Sequence, residues 1–563
     1  MIKTNGNFTY EKSSRLFSSE SDFEEWLTWV NSEAEKETLR EFGDYQTPIE
    51  LVNRIYDIID ERKIIFNSIF EPTMGQGNFL TQALTRYPKL NKIIGIETQT
   101  YYVNKFRENV LANDLLPLET EVNIKNKNFF EYDLAELPLD GVLMIGNPPW
   151  VTNSELVNLG SSNLPTKSNF KNHKGLDALT GKSNFDIGEY ILGSLIDVQN
   201  EKSTIGNGYL VFLIKKIVAT NLLKDAPRRK WNITTFDVYN IDSKKEFNVS
   251  VDACLVIIGL NENNKTKNLV ANEYNIYQPK EIINTFGWVG DKFVSNVDLY
   301  KNTIKLDSVD PSLNFYTWRS GVKHDASKVM ELDYEPNGSE ITSTVGGSFD
   351  SDEPYIFPLI KSSHVRKINT EFIPKKYVIV TQRSIKDSTD EIATKNKNVW
   401  EYLQKNADKL DNRKSSIYKG KTRFSMFGIG DYSFSDYKIA ISGMYKESKF
   451  ALITPYKGKP VMLDDTVYSI SAKSKTEALI LFGILNSELV QSFLKSIAFD
   501  GNKRPYTKDV LQRINIESAS KLLNTEQINE TISQYGYSHV ISKDEFVLFQ
   551  KSIANKQLNL LSM

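Results

Sequence analysis

Residues 64–80 read Ile64-Ile65-Phe66-Asn67-Ser68-Ile69-Phe70, then Glu71-Pro72-Thr73-Met74-Gly75-Gln76-Gly77, then Asn78-Phe79-Leu80. An apolar run, a glycine turn and a helical pattern in that order open a doubly wound α/β nucleotide-binding fold, and nothing else in the chain constrains its folding as strongly. Gly75 and Gly77 let the backbone approach a ligand closely. The third glycine of the dinucleotide fingerprint is missing, which argues against NAD. Further strands are expected at 92–96, ending in Glu97, at 122–127, ahead of Asn128-Phe129-Phe130, and at 142–145. Glu97 comes at the distance expected of an acid that accepts from two ribose hydroxyls; the plainer reading is a solvated charge. An adenine can lie against the aromatics after the third strand. Upstream, Tyr45-Gln46-Thr47-Pro48 precedes a helix through Leu51, Ile55 and Ile58. A helix start of this kind can hold a carboxylate, or it is an ordinary N-cap.

The fourth strand delivers Asn147-Pro148-Pro149-Trp150. The exocyclic amine of a nucleobase is a poor nucleophile because its lone pair is delocalised into the ring. The Asn147 side-chain oxygen and the Pro148 carbonyl can each accept one N–H of such an amine, and two prolines keep both acceptors aimed. Trp150 offers a flat face for an extruded base. The alternative is a plain turn. Following a strand, and in company with the glycine turn and Glu97, the catalytic reading is the stronger.

At 563 residues the chain is long enough for more than one domain. A net charge of -2 argues against a globally basic nucleic-acid binder, so DNA contact must come from a local patch. One cysteine, Cys254, excludes a disulfide framework and a cysteine-rich zinc site, and four scattered histidines argue against a histidine metal centre, so no metal is expected. The N-terminus lacks an apolar signal core and the apolar runs are too short for a bilayer, giving an expected cytoplasmic protein with no membrane association.

The first forty residues are polar. Ser21-Asp22-Phe23-Glu24 reads as a capping box for a helix carrying Phe23, Trp26, Leu27 and Val30 on one face, a packing element. Residues 151–183 form a polar insertion in which Lys167, Lys171, His173 and Lys174 suit phosphate contact, with a solvated loop nearly as good a reading. A helix follows Asn184-Phe185-Asp186, and strands are expected at 208–214, 236–239 and 253–258. From about residue 290 glycine, aromatic and basic residues interleave, including Arg319, Lys323, Arg413, Lys414, Lys419, Lys421 and Arg423. Between 355 and 460, Lys and Arg outnumber Asp and Glu about two to one. This half is the candidate target-recognition domain, although a charge-rich region is by default a solvated face. A helix at 478–499 and the basic turn Lys503-Arg504-Pro505-Tyr506 close it, before a helical tail.

In their order, Tyr45 to Pro48, Glu71 to Phe79, Glu97 and Asn147 to Trp150 resemble the motifs of the gamma-class N6-adenine DNA methyltransferases of restriction-modification systems. The resemblance covers roughly the first half of the chain. It implies a doubly wound, Rossmann-like S-adenosylmethionine-dependent methyltransferase domain followed by a mixed α+β target-recognition domain. It also implies that Tyr45, Gln46, Thr47, Glu71, Thr73, Gly75, Gly77, Asn78, Phe79, Glu97, Asn128, Phe129, Asn147 and Phe185 surround S-adenosylmethionine, with its carboxylate near Thr47 and its ribose on Glu97. Asn147, Pro148, Pro149 and Trp150 are the implied catalytic turn, and Phe247 the aromatic that closes the other face of the target base; a lone Phe before a strand is otherwise core. The family usually carries an acid after the third strand to bind the adenine amino group, where this chain has Asn128, whose amide oxygen can substitute.

The expected organisation is an N-terminal helical segment, 1–41; a catalytic domain, 42–290; a recognition domain, 291–515; and a helical tail, 516–563. The expected activity is methylation of N6 in a flipped adenine of double-stranded DNA, with a cognate restriction endonuclease as a separate chain. Competing readings are a protein-glutamine or RNA-adenine methyltransferase, or a DNA-binding specificity subunit on a degenerate fold. The basic-aromatic second half disfavours the first of these.

Overall fold

In the computed structural model, residues 8–32, 45–116, 119–138, 140–152, 186–202, 207–260, 267–334, 340–368, 372–499, 501 and 504–561 are described. They divide into two compact units, Met1–Phe293 and Val294–Met563.

The first unit is built on one ten-stranded sheet. Its strands are β1 (Ser68–Glu71), β2 (Lys92–Glu97), β3 (Glu121–Asn126), β4 (Val142–Gly146), β5 (Gly208–Lys215), β6 (Ile233–Ile241), β7 (Ala253–Leu260), β8 (Val270–Asn275), β9 (Asn284–Val289) and β10 (Lys292–Val294). They lie in the order β10-β9-β8-β6-β7-β5-β4-β1-β2-β3. β1 to β5 are mutually parallel and β7 runs against both β5 and β6. Every residue of β1, β4 and β7 is buried, as continuous apolar runs must be in a sheet covered on both faces. Strand order reverses between β1 and β4, so the loops leaving their carboxyl ends part and open a crevice there.

Helices α1 (Glu20–Asn31), α2 (Ile49–Glu61), α3 (Asn78–Arg86), α4 (Thr100–Ala112), α5 (Ile187–Lys202), α6 (Lys216–Arg229) and α7 (Ser243–Phe247) belong to this unit. α2 buries Leu51, Val52, Ile55, Tyr56, Ile58 and Ile59, one continuous helical face. α1 is fastened to α4: Arg107 pairs with Asp22 at 2.9 Å and Trp26 Nε1 donates to the Asn104 carbonyl at 3.2 Å. Its N-cap is Ser19 and not Ser21: Ser19 Oγ accepts from Asp22 N, while the Asp22 carboxylate accepts from the preceding Ser18 N. The first strand is likewise shorter than the apolar run 64–70. Ile65 is 83% exposed, and pairing begins only at Ser68, opposite Lys92 and Val142.

In the second unit, short strands form a four-stranded sheet, Arg319–Ser320, Val467–Ala472, Tyr437–Ser442 and Phe450–Ile453 in spatial order, and a six-stranded one, Ser348–Phe349, Ile341–Thr342, Glu331–Tyr334, Lys376–Ile379, Ile356–Ile360 and Met462–Leu463. The single helix expected at 478–499 is two, α8 (Lys475–Asn486) and α9 (Glu488–Ile497). Ser487 leaves helical geometry at ψ 149° and caps the second helix through its hydroxyl. The tail comprises α10 (Ile516–Leu522), α11 (Thr525–Gln534) and α12 (Lys543–Leu561). It packs into this unit: a Cβ on Gly483 of α8 would come within 2.8 Å of Ile528 on α11. Among the described residues no single helix is long and apolar enough to cross a membrane.

Candidate active site

The loop after β1 forms the floor of the crevice. Gly75 (φ 54°) and Gly77 (φ 73°) take left-handed conformations that only glycine adopts freely. A Cβ on Gly77 would meet the Phe106 ring at 2.3 Å, and one on Gly75 would meet Gln46 Oε1 at 2.6 Å. Glu97, at the end of β2, holds this turn: Oε2 accepts from Gly75 N at 2.8 Å, and Oε1 from Gln99 N at 2.8 Å and Thr98 Oγ1 at 3.2 Å. The acid expected to wait for ribose thus also ties the glycine turn to β2, which a carboxylate with four acceptor sites can do.

Residues 45–47 lie across this floor as a strap with three ties. Asn147 Nδ2 donates to the Tyr45 carbonyl at 2.9 Å, Asn78 Nδ2 to the Thr47 carbonyl at 2.8 Å, and Gln76 N to Gln46 Oε1 at 3.1 Å. The strap, the glycine turn, Glu71, Glu97, Asn128 and Asn147 line one open cleft. Phe79, Phe129, Phe130, Ile187 and Ile191 supply its apolar lining. Ile187 and Ile191 were not singled out from the sequence as lining residues, although their i,i+4 spacing on the helix after the insertion marked one apolar face.

Among the described residues, three buried side-chain oxygens of this region have no hydrogen-bond partner: Glu71 Oε2, Thr73 Oγ1 and Asn147 Oδ1. Buried polar atoms are rarely left so, and all three residues line the same cleft. Burial, reinforced by the neighbouring Glu97 charge, pushes the Glu71 carboxyl well above the usual range, against the opposing pull of the Leu80 N–H. Asn128 Oδ1 accepts from Phe130 N at 3.0 Å, so the oxygen expected to serve an adenine amine caps its own turn. Phe185 lies outside the described residues.

Trp150 departs from its expected role. It is 7% exposed, and its Nε1 donates to the Leu213 carbonyl of β5 at 3.2 Å, which draws the indole under the turn. Phe247 meets it edge to face at 5.1 Å and Tyr45 packs on it at 5.8 Å. A base sandwiched between Trp150 and Phe247 needs the rings about 7 Å apart, twice a ~3.5 Å contact, so this arrangement holds no such slot. Of the three rings, Tyr45 is the one that lines the cleft. Behind the turn, Pro148 is buried and Lys215 pairs with Asp186 at 2.8 Å. Burial raises the Asp186 carboxyl despite that lysine. The segment leaving the turn is tied down by Ile187 N donating to the Val151 carbonyl at 3.0 Å.

In the second unit the basic candidates separate. Arg413 is a structural clamp and not a free cation: it donates to the carbonyls of Leu410, Ser425 and His324 at 2.7, 2.8 and 3.2 Å and stacks on Tyr418 at 3.7 Å. Arg423 pairs with Asp411 at 2.8 Å, and Lys323 lies 3.6 Å from Asp325. Arg319, Lys414, Lys419, Lys421 and Arg504 are exposed. Lys167, Lys171, Lys174 and Lys503 lie outside the described residues. No cluster of three or more potential metal ligands occurs among the described residues.

No protein-family profile matches the chain. It is 37% identical over 503 residues to the type II methyltransferase M.NspV of Nostoc sp., spanning 87% of this chain and 99% of that protein. Among solved structures it is similar to the type IIL restriction-modification enzyme MmeI in complex with DNA, at a TM-score of 0.49 and 13% identity over 91% of this chain and 75% of that one. It is also similar to the methyltransferase subunit of a type I restriction-modification system from Streptococcus thermophilus, at a TM-score of 0.26 and 18% identity over 41% and 47%. Both structural likenesses are loose and carry no argument. The sequence relative suffices: the chain belongs to the type II methyltransferase family.

Proposed function

We propose that this protein transfers a methyl group from S-adenosylmethionine to N6 of an adenine rotated out of duplex DNA, as the cytoplasmic modification enzyme of a restriction-modification system. The observation that carries the reading is the orientation of Asn147. Its Nδ2 is spent on the Tyr45 carbonyl, so the buried, unpartnered Oδ1 is the acceptor left for an amine N–H at the cleft. The Pro148 carbonyl, fixed between two prolines, takes the second N–H. Two acceptors so held turn the amine nitrogen toward tetrahedral geometry and orient its lone pair for in-line attack. The proton then leaves to water. Tyr45, the ring that lines the cleft, is the stacking partner for the base, with Trp150 and Phe247 supporting it from behind.

The orphaned oxygens of the cleft suit a polar cofactor such as S-adenosylmethionine. When bound, S-adenosylmethionine supplies an electrophilic methyl group on a sulfonium. Glu71 Oε2 and Thr73 Oγ1 would be offered to its polar methionine end, the strap and Thr47 would cover its carboxylate, and Glu97 would hold the ribose. Because Asn128 Oδ1 is engaged with Phe130 N, its Nδ2 serves the cofactor adenine as a donor to a ring nitrogen. Phe129, Phe130, Ile187 and Ile191 keep water from the ring. The exposed cations of the second unit grip the duplex, and a separate endonuclease reads the same site. Nucleoside analysis of plasmid DNA from a host expressing the protein tests the reading: N6-methyladenine at one sequence context supports it, and unmodified DNA from a host making folded protein refutes it.

A further inference from the structure

Beside the aromatic rim of the catalytic turn, two cations converge on one ring. The Arg54 guanidinium, on α2, lies 5.3 Å from the centroid of Tyr277, and the Lys245 ammonium, on α7, lies 4.3 Å from the same centroid. Arg54, Lys244 and Lys245 are all exposed. Two carboxylates stand near, and both have local duties. Asp242 accepts from Lys244 N and Lys245 N, and Glu246 accepts from the Tyr277 hydroxyl at 2.5 Å while lying 3.6 Å from Lys245 Nζ. Arg54 has no ion-pair partner among the described residues. Arg54 and Lys245 bring two exposed positive charges to one ring, and an incoming anion is attracted by both. The next residue after Glu246 is Phe247, which packs 5.1 Å from Trp150 and 6.2 Å from Tyr45, whose carbonyl orients Asn147. Through Glu246 and its neighbour Phe247 the cationic group is joined to the rings that border the catalytic turn, and Tyr277 packs in the same apolar cluster as those rings.

We infer that Arg54 and Lys245, held by Tyr277, form a phosphodiester-binding site that grips the DNA strand next to the base being methylated. The inference rests on the function proposed above. A guanidinium fork matches two phosphate oxygens, an ammonium adds a point charge, and the tyrosine ring fixes both stems so that little freedom is lost on binding. Extruding a nucleotide rotates it about its own backbone. A hold on the adjacent phosphates keeps the strand in place during that rotation, and it carries no sequence information.

The test compares the full-length protein with an Arg54→Gln, Lys245→Gln double variant. S-adenosylmethionine affinity is measured by calorimetry, and kcat and KM on plasmid DNA across a range of salt concentrations. The expected result is unchanged cofactor affinity, a KM for DNA raised roughly tenfold or more, and a salt dependence of log affinity shallower by about two. Lys245→Arg keeps the wild-type slope. If the wild type methylates DNA and the double variant matches it in KM and slope, the phosphate site is wrong and the function stands. If the wild type transfers no methyl group to DNA, both fall. If cofactor affinity falls in step with DNA affinity, the stack is structural; Lys245→Gln alone then decides, since an unaltered slope in that variant also overturns the site.

Discussion

Asn147 Nδ2 donates to the Tyr45 carbonyl at 2.9 Å, across 102 residues of sequence, and this bond decides which end of the amide faces the cleft. Removing the amide removes both the acceptor and the tie. Asn147→Ala should lower kcat about 100- to 1000-fold, the usual cost of one preorganised polar group at a reacting centre, while weakening cofactor binding only a few-fold. Asn147→Asp keeps an oxygen but loses the donor, so the strap loosens and kcat falls comparably. Single-turnover kinetics with calorimetric cofactor affinities separates the two effects.

Gly77→Ala tests the floor of the cleft. The φ of 73° costs a non-glycine residue about 1–2 kcal/mol, and the added methyl would press on the Phe106 ring at 2.3 Å. The variant should unfold several degrees below wild type and bind S-adenosylmethionine poorly. A variant that melts and binds as wild type does would contradict the described turn.

Glu71 predicts a pH dependence. Its folded carboxyl is raised well above the ordinary value of 4.5, so below that value both states hold the proton and no penalty exists. As pH rises through it, the unfolded chain ionises while folded Glu71 stays protonated, and stability is lost until pH passes the folded value. Glu71→Gln removes that loss. It should be more stable than wild type near pH 8, the gap closing near pH 4, yet bind cofactor more weakly. Denaturant unfolding at both pH values checks the sign.

Arg413 and the pair Lys419 and Lys421 should behave oppositely. Arg413→Ala breaks three hydrogen bonds to carbonyls and a ring stack, and should cost about 2–4 kcal/mol of stability. Replacing both lysines by Gln should leave the melting temperature alone and make DNA binding less salt-dependent. Thermal melts and salt titrations distinguish the roles.

Much of the site was legible in the sequence because its signals are local. A glycine turn between strand and helix, an acid at a strand end and a proline-locked turn each announce their geometry within a few residues, and the cleft gathers Glu71, Gly75, Glu97 and Asn147 as the strand order requires. Part of what was illegible depends on distant partners, and part on local caps that the apolar pattern does not reveal. Nothing near Trp150 tells that its N–H is taken by Leu213, 63 residues on, so its burial was invisible. Arg413 read as a free cation because two of its three carbonyls lie 12 and 89 residues away. Asn128 read as offering its amide oxygen to adenine, but that oxygen is taken by the cap on Phe130 two residues on. The helix break at Ser487 was hidden because the apolar pattern continues through it.

The most direct test of the central claim is methyl transfer from labelled S-adenosylmethionine to unmethylated plasmid DNA, with the product digested to nucleosides and Asn147→Ala run alongside. Wild type is expected to place label in N6-methyladenine, and the variant to do so about 100- to 1000-fold more slowly. Cofactor binding by the wild type without labelled DNA, or a variant that labels DNA at close to the wild-type rate, would contradict it.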